Sequence, residues 1–185
     1  MTRPHLVDGW RIDVTIRPGI RRVISSAEAS RVVAAALVAG RAPSPASISV
    51  VLTDDDEIAD LNATHLGHEG PTDVLSFPLL PPNAYPPHEG GPSDGRGVGA
   101  AAAFVLPPGA APHLGDIAIS VERAIAQASG GRGGQTSDRH WDPAVELRLL
   151  LTHGALHVCG WDHAVPAEEA AMRALERLLL RDVPA

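Results

Sequence analysis

Three histidines fall close together near the C-terminal end of the chain, in the stretch "LTHGALHVCGWDH". His153, His157 and His163 are spaced H-x3-H-x5-H, with Gly160 between the second and third. On a helix, residues four apart project from one face a single turn apart, so His153 and His157 can reach the same cation. That cation lies off the side of the helix, and a third ligand has to return from outside it. Gly160 can end the helix and turn the chain back through positive φ, and His163 arrives on the returning segment. Three neutral imidazoles suit Zn2+ and leave the fourth position for water, the layout of a catalytic rather than a structural site. Zinc held in this way either acidifies its water into a nucleophile or acts as a Lewis acid. Zinc peptidases with this spacing carry a Glu directly after the first His as general base. Here that position is Gly154, so the metal chemistry is expected and the peptidase chemistry is not.

The elements that must position these side chains can be read in order. "WRIDVTI" alternates Trp10, Ile12, Val14 and Ile16 against polar partners, a half-buried strand. Ser25 and Glu28 stand at capping-box spacing before a helix that closes at Gly40. "SISVVLT" is a second strand, rich in β-branched residues. "TDDDEIADLNATHLG" is a helix with acids at its positive end and Gly67 beyond its last turn. "TDVLSFP" and "LGDIAIS" are two more strands, the second leading into a helix that runs to Ala128. Asp142 and Pro143 supply an N-cap and first-turn pair for the long helix through Val158. "PAEEAAMRALERLLLRD" is a final amphipathic helix. Interleaved strands and helices predict an α/β (α+β) domain, a small mixed sheet of about four strands covered by helices. The zinc site then sits at the end of the long helix.

Residues 79–113 differ from the rest. Of these 35 residues, 8 are Pro, 6 Gly and 7 Ala, a composition that reads as a mobile surface insertion, with a lid as the alternative. "GGRGGQ" reads as a loop. His5, His88, His113 and His140 read as surface or satisfied core histidines.

At 185 residues the chain suits one domain able to bury a sizeable core. All 15 basic residues are Arg, and the net charge of -7 argues against a broad non-specific grip on nucleic acid. With two Phe, three Trp and one Tyr, an extended base-stacking platform is not expected. The single Cys159 fits a reducing cytosol and reads as core. No apolar run reaches the roughly 18 residues of a membrane span, and the N-terminus lacks a signal-peptide core, so a cytoplasmic protein is expected.

The motifs together resemble a known family. "HGALHVCGWDH" resembles the H-G-x-L-H-L-x-G-Y-D-H signature of the YbeY family, bacterial endoribonucleases that mature ribosomal RNA, with Trp161 for the usual Tyr and Val158 for Leu. "LNATHLGHEGPTDVLSFP" resembles the family segment L-N-x-x-Y-R-G-x-x-x-P-T-D-V-L-S-F-P, and "LGDIAIS" its G-D-I strand. Glu146 and Leu147 resemble the family's E-L. The resemblance runs from about Ile48 to the C-terminus, leaving out the insertion. It implies a single metallo-endoribonuclease domain over residues 1–185, with one Zn2+ on His153, His157 and His163. It also implies single-strand-specific cleavage in ribosomal RNA maturation and ribosome quality control. The partners implied are ribosomal RNA precursors and the ribosome or its proteins, with no membrane.

Two adjacent positions depart from the pattern: the family's Arg falls on Leu66 and its Tyr on His65. No Arg or Lys occurs between Arg41 and Arg96. An arginine there would hold a phosphate or stabilise charge on it, which Leu66 does not do. Weak cleavage is therefore expected, and the alternative is an RNA- or ribosome-associated factor with a structural zinc. His65 and His68 read as loop histidines or as weaker, pH-dependent cations. Asp73, Ser76 and Asp116 match family positions near the cleft and equally suit strand-end capping. Glu146 lies seven residues before His153, either turned to the site or structural, and Asp162 either supports the third ligand or forms the turn.

Overall fold

Strands β1 (Thr2–Val7) and β2 (Trp10–Ile16) form an antiparallel hairpin in the computed structural model, which describes residues 2–91, 110–130 and 142–181. Asp8 and Gly9 close the hairpin with φ of 49° and 90°, the paired positive values that suit a two-residue hairpin turn. This edge strand makes five strands where four were expected. Its own residues show no clear alternation, and Pro4 is tolerated because β1 lies at the sheet edge. The Asp8-Gly9 pair directly ahead of a strand is the signal that marks it.

Helix α1 (Ser26–Ala39) crosses from β2 to β3 (Ala46–Thr53), and Ser25 caps it by accepting the Glu28 N–H. Helix α2 (Asp55–Leu66) is capped by Asp54 and ends at Gly67, whose φ is 70°. Then come β4 (Val74–Pro78), β5 (His113–Ser120) and α3 (Val121–Gly130), followed by α4 (Pro143–Val158) and α5 (Pro166–Arg181). The strand order is β1-β2-β3-β5-β4, with β2, β3 and β5 parallel and the two edge strands antiparallel to their neighbours. The domain is mixed α/β, as expected, and among the described residues no helix is long and apolar enough to cross a membrane.

Alternation along the strands sorts the helices onto two faces. Ile12, Val14, Ile48, Val50, Ile117 and Ile119 point into the main core, where α1 and α4 bring Val33, Leu37, Leu147 and Leu150. Between Ile117 and Ile119, Ala118 points the other way and joins Leu75 and Ile58 of α2. So α4, which carries two of the histidines, lies buried against the sheet, while α2 packs on the opposite face.

The first part of the Pro/Gly/Ala-rich segment is not a free surface loop. A short 3-10 turn at Pro82–Ala84 leads to Tyr85, which is buried in the main core. One large aromatic ring among small residues is enough to tether the segment, because its apolar area dominates the local burial. Residues 92–109 lie outside the described residues, as do His140 and all but the first residue of "GGRGGQ".

Candidate metal centre and cleft

The His153 and His157 rings stand one turn apart on α4, and Gly160, with φ of 81°, turns the chain so that His163 comes back beside them. Each of the three offers a ring nitrogen, and these atoms all lie within 4.8 Å of one another. Ring centroids are 4.5 Å apart for His153 and His157, and 4.9 Å for His157 and His163. The spacing in the sequence and the arrangement in space agree. His163 is exposed, while the two helical rings are half-buried.

Hydrogen bonds settle which nitrogens face inward. His153 Nδ1 lies 2.7 Å from Glu176 Oε1, and His157 Nδ1 lies 2.9 Å from the Trp161 carbonyl oxygen. A carboxylate and a carbonyl only accept, so both Nδ1 atoms carry the proton and donate. In the neutral rings both Nε2 atoms are then lone pairs, and they face each other at 3.1 Å. Two acceptors at that distance repel unless a cation lies between them. Burial, followed by the neighbouring His153 and His163, pushes the His157 pKa down to about 4, so this ring stays neutral near pH 7. The donor set therefore fits a metal ion taking nitrogen ligands in an open, water-accessible position.

Glu176 was not among the residues expected at the site. It sits on α5 and is only 8% exposed. Its signal lay in the sequence of that helix: Glu168, Met172 and Glu176, four apart, form the buried stripe of an otherwise exposed amphipathic helix. An acid on a buried stripe needs a partner inside the protein.

Gly154, directly after His153, packs on the sheet: a Cβ there would lie 2.8 Å from Ile117 Cγ2, and 3.2 Å from both Ser76 Oγ and Val74 Cγ2. Ser76 donates to the Gly154 carbonyl at 3.2 Å. A side chain larger than a methyl group, such as Glu, would push α4 off β4 and β5, taking the histidines with it.

The histidines open onto a cleft of about 380 Å³, whose other wall is Leu66, Thr72, Asp73, Val74, Ser76 and Pro78. Leu66 faces this cleft and is 53% exposed. His65 instead turns its ring onto Phe77, with centroids 5.2 Å apart, and His68 is exposed on the loop beyond Gly67. Asp73 lines the cleft while capping the start of β4: it accepts the Val74 N–H and a bond from Gln127 Nε2. Asp162 accepts the His163 N–H at 2.7 Å, which shapes the loop carrying the third imidazole. Glu146 is 2% exposed in the first turn of α4, away from the cleft lining. Asp116 pairs with His113, and His113 in turn meets Ser47, on the sheet.

Fold and site together define an α/β protein with a three-histidine cluster, suited to a metal ion, on one wall of an open cleft. The family model described as endoribonuclease YbeY matches residues 19–184, and the chain belongs to that family. It is 36% identical over 170 residues to an endoribonuclease YbeY of Roseiflexus castenholzii, covering 91% of this chain and 90% of that one. It is 43% identical over 136 residues to the Salinispora tropica protein of the same name, covering 73% of each. A solution structure of a Thermotoga maritima protein shares the fold, with a TM-score of 0.50 and 18% identity over 94% of this chain and 90% of that one.

Proposed function

We propose that this chain is a zinc-dependent endoribonuclease that cleaves single-stranded RNA, acting in ribosomal RNA maturation and ribosome quality control. The observation that carries the reading is the pair of Nε2 lone pairs 3.1 Å apart in an open cleft, in a member of the YbeY family. We assign His153, His157 and His163 as ligands of one Zn2+ per chain. Zinc supplies Lewis acidity toward water and phosphodiester oxygens. Glu176 and the Trp161 carbonyl hold two imidazoles with Nε2 outward, and Asp162 supports the loop of the third.

Thr72, Asp73, Ser76 and Leu66 form the wall against which a strand of RNA would lie, and we assign the exposed His68, on the loop after Gly67, as a further contact for it. Glu146 supports the helix that bears the ligands. Because Gly154 is packed on the sheet, the position of a peptidase general base is closed. We further assign residues 1–185 to one domain with the 79–113 insertion, working in the cytoplasm on ribosomal RNA precursors and in contact with the ribosome.

Leu66 favours a second reading, an RNA- or ribosome-associated factor in which zinc is structural and cleavage is slight. Purified protein incubated with single-stranded and structured RNA, with and without chelator, separates the two. The nuclease reading expects slow cleavage of the single strand, lost with chelator and regained with zinc. One zinc per chain with no cleavage selects the second reading. A metal-free wild type sinks both.

A further inference from the structure

The peptide group joining Trp161 to Asp162 is held from both sides. Its carbonyl accepts the Nδ1–H of His157 at 2.9 Å, and its N–H donates to the Gly90 carbonyl at 2.7 Å. Next to it, the His88 ring stacks on the Trp161 indole, with centroids 4.3 Å and planes 10° apart. Gly90 lies so close to that indole that a Cβ would be 2.1 Å from Cε3. Glycine alone lets the carbonyl reach the Asp162 amide. Five residues before it, Tyr85 is buried in the main core, so the segment is anchored at its other end as well.

We propose that residues 85–91, the root of the Pro/Gly/Ala-rich insertion, clamp the loop that carries His163, with His88 and Gly90 as positioning residues for the metal centre. The proposal rests on the metal reading given above. His163 is exposed and sits between α4 and α5 on a stretch without regular structure. Within that stretch Trp161 N–H bonds Leu156 O, and His163 N–H bonds Asp162 Oδ1. The bond from Asp162 N–H to Gly90 adds the contact to a distant part of the chain. A hydrogen bond at one end of an amide polarises the other. Gly90 therefore strengthens the acceptor that fixes the tautomer of His157 while it holds the third ligand's loop in place. Outer partners of this kind set ligand orientation, and losing one typically costs about 10–100-fold in metal affinity. Burial draws the His88 pKa below its ordinary value, so the ring stacks on the indole as a neutral imidazole while it also hydrogen-bonds the Cys159 backbone at the end of α4.

The test compares wild type with His88→Ala, His88→Phe and Gly90→Ala, each metal-free and zinc-loaded. Amide hydrogen exchange reads the loop at residues 160–165, with β3 and β5 as the control for global folding. Zinc release into excess chelator reads the metal centre. The clamp predicts a protected Asp162 amide in the metal-free wild type. His88→Ala and Gly90→Ala should expose that amide and speed zinc release about 10–100-fold, while His88→Phe, which keeps the stack and loses the bond to the Cys159 backbone, should fall between wild type and His88→Ala. Folded Ala variants with wild-type exchange and wild-type release would overturn the clamp. If Gly90→Ala fails to fold, the His88→Ala and His88→Phe pair decides. A wild type that takes up no zinc sinks the metal reading instead, and the exchange comparison in metal-free protein still decides the clamp.

Discussion

The two walls of the cleft are built by different means. The histidine wall is the last two turns of a helix buried against the sheet. Its rings are set by bonds to Glu176 and the Trp161 carbonyl, and its backbone is drawn in by Gly154. The facing wall, from Leu66 to Pro78, joins a helix end to an edge strand. Asp73 and Ser76 there are bonded into the fold, and the exposed Leu66 lines the cleft opposite the histidines. Metal binding demands fixed direction, and the first wall supplies it through packing and paired donors. Binding an anionic backbone demands charge, and the second wall presents an apolar side chain at that point. The contrast predicts a site that holds zinc well and turns RNA over slowly.

Substitutions at four positions can break or sharpen that contrast. The largest effect belongs to His157→Ala, which removes the ring that lies nearest to both of the others. Zinc in the purified protein should fall from one per chain to none, and RNA cleavage should vanish with it. Undiminished zinc would mean that the wall does not hold the metal. Leu66→Arg should act on the other wall alone. Adding one well-placed electrostatic donor should raise cleavage about 10²–10³-fold with zinc content unchanged. If wild type already cleaves briskly and the substitution changes nothing, another group supplies the charge.

Glu176→Ala leaves His153 without its acceptor and should weaken zinc binding about 10–100-fold, read by chelator competition. Glu176→Gln keeps an oxygen acceptor and should recover part of the loss. Equal affinities for all three proteins would make Glu176 a packing residue only. The smallest effect is that of Gly154→Ala. Crowding Ile117 costs about 1–3 kcal/mol, partly offset by about 1 kcal/mol of helix propensity. A lower Tm with unchanged zinc stoichiometry is expected, and a rise in Tm would show that the sheet has room to spare.

Much of this site was legible before any fold was in view, because its first requirements are local. Four-residue spacing places His153 and His157 on one helix face, and Gly160 supplies the positive φ that returns His163. Caps at Ser25, Asp54 and Asp142 mark helix starts through bonds spanning two or three residues. Strand alternation in β2 and β3 follows from a period of two, which any short stretch displays. The first strand was harder to see. Its residues show no clear alternation, and only the Asp8-Gly9 turn announced it.

The tertiary structure decided what depends on residues far apart in the chain. Glu176 reaches His153 from α5, and Gly90 reaches the Asp162 amide from the middle of the sequence. Neither contact has a spacing rule, since it depends on how whole helices and loops pack. The direction of Gly154 toward Ile117, and of Leu66 toward the histidines, was settled in the same way, by which face the sheet and the neighbouring helices left open. Residue types at local spacing determined that a metal could be held. Long-range packing determined which ring nitrogens face each other, which side chain faces them across the cleft, and which segment touches the loop that carries His163. Hydrogen bonds and van der Waals contact act over a few ångströms in space, whatever the distance along the chain.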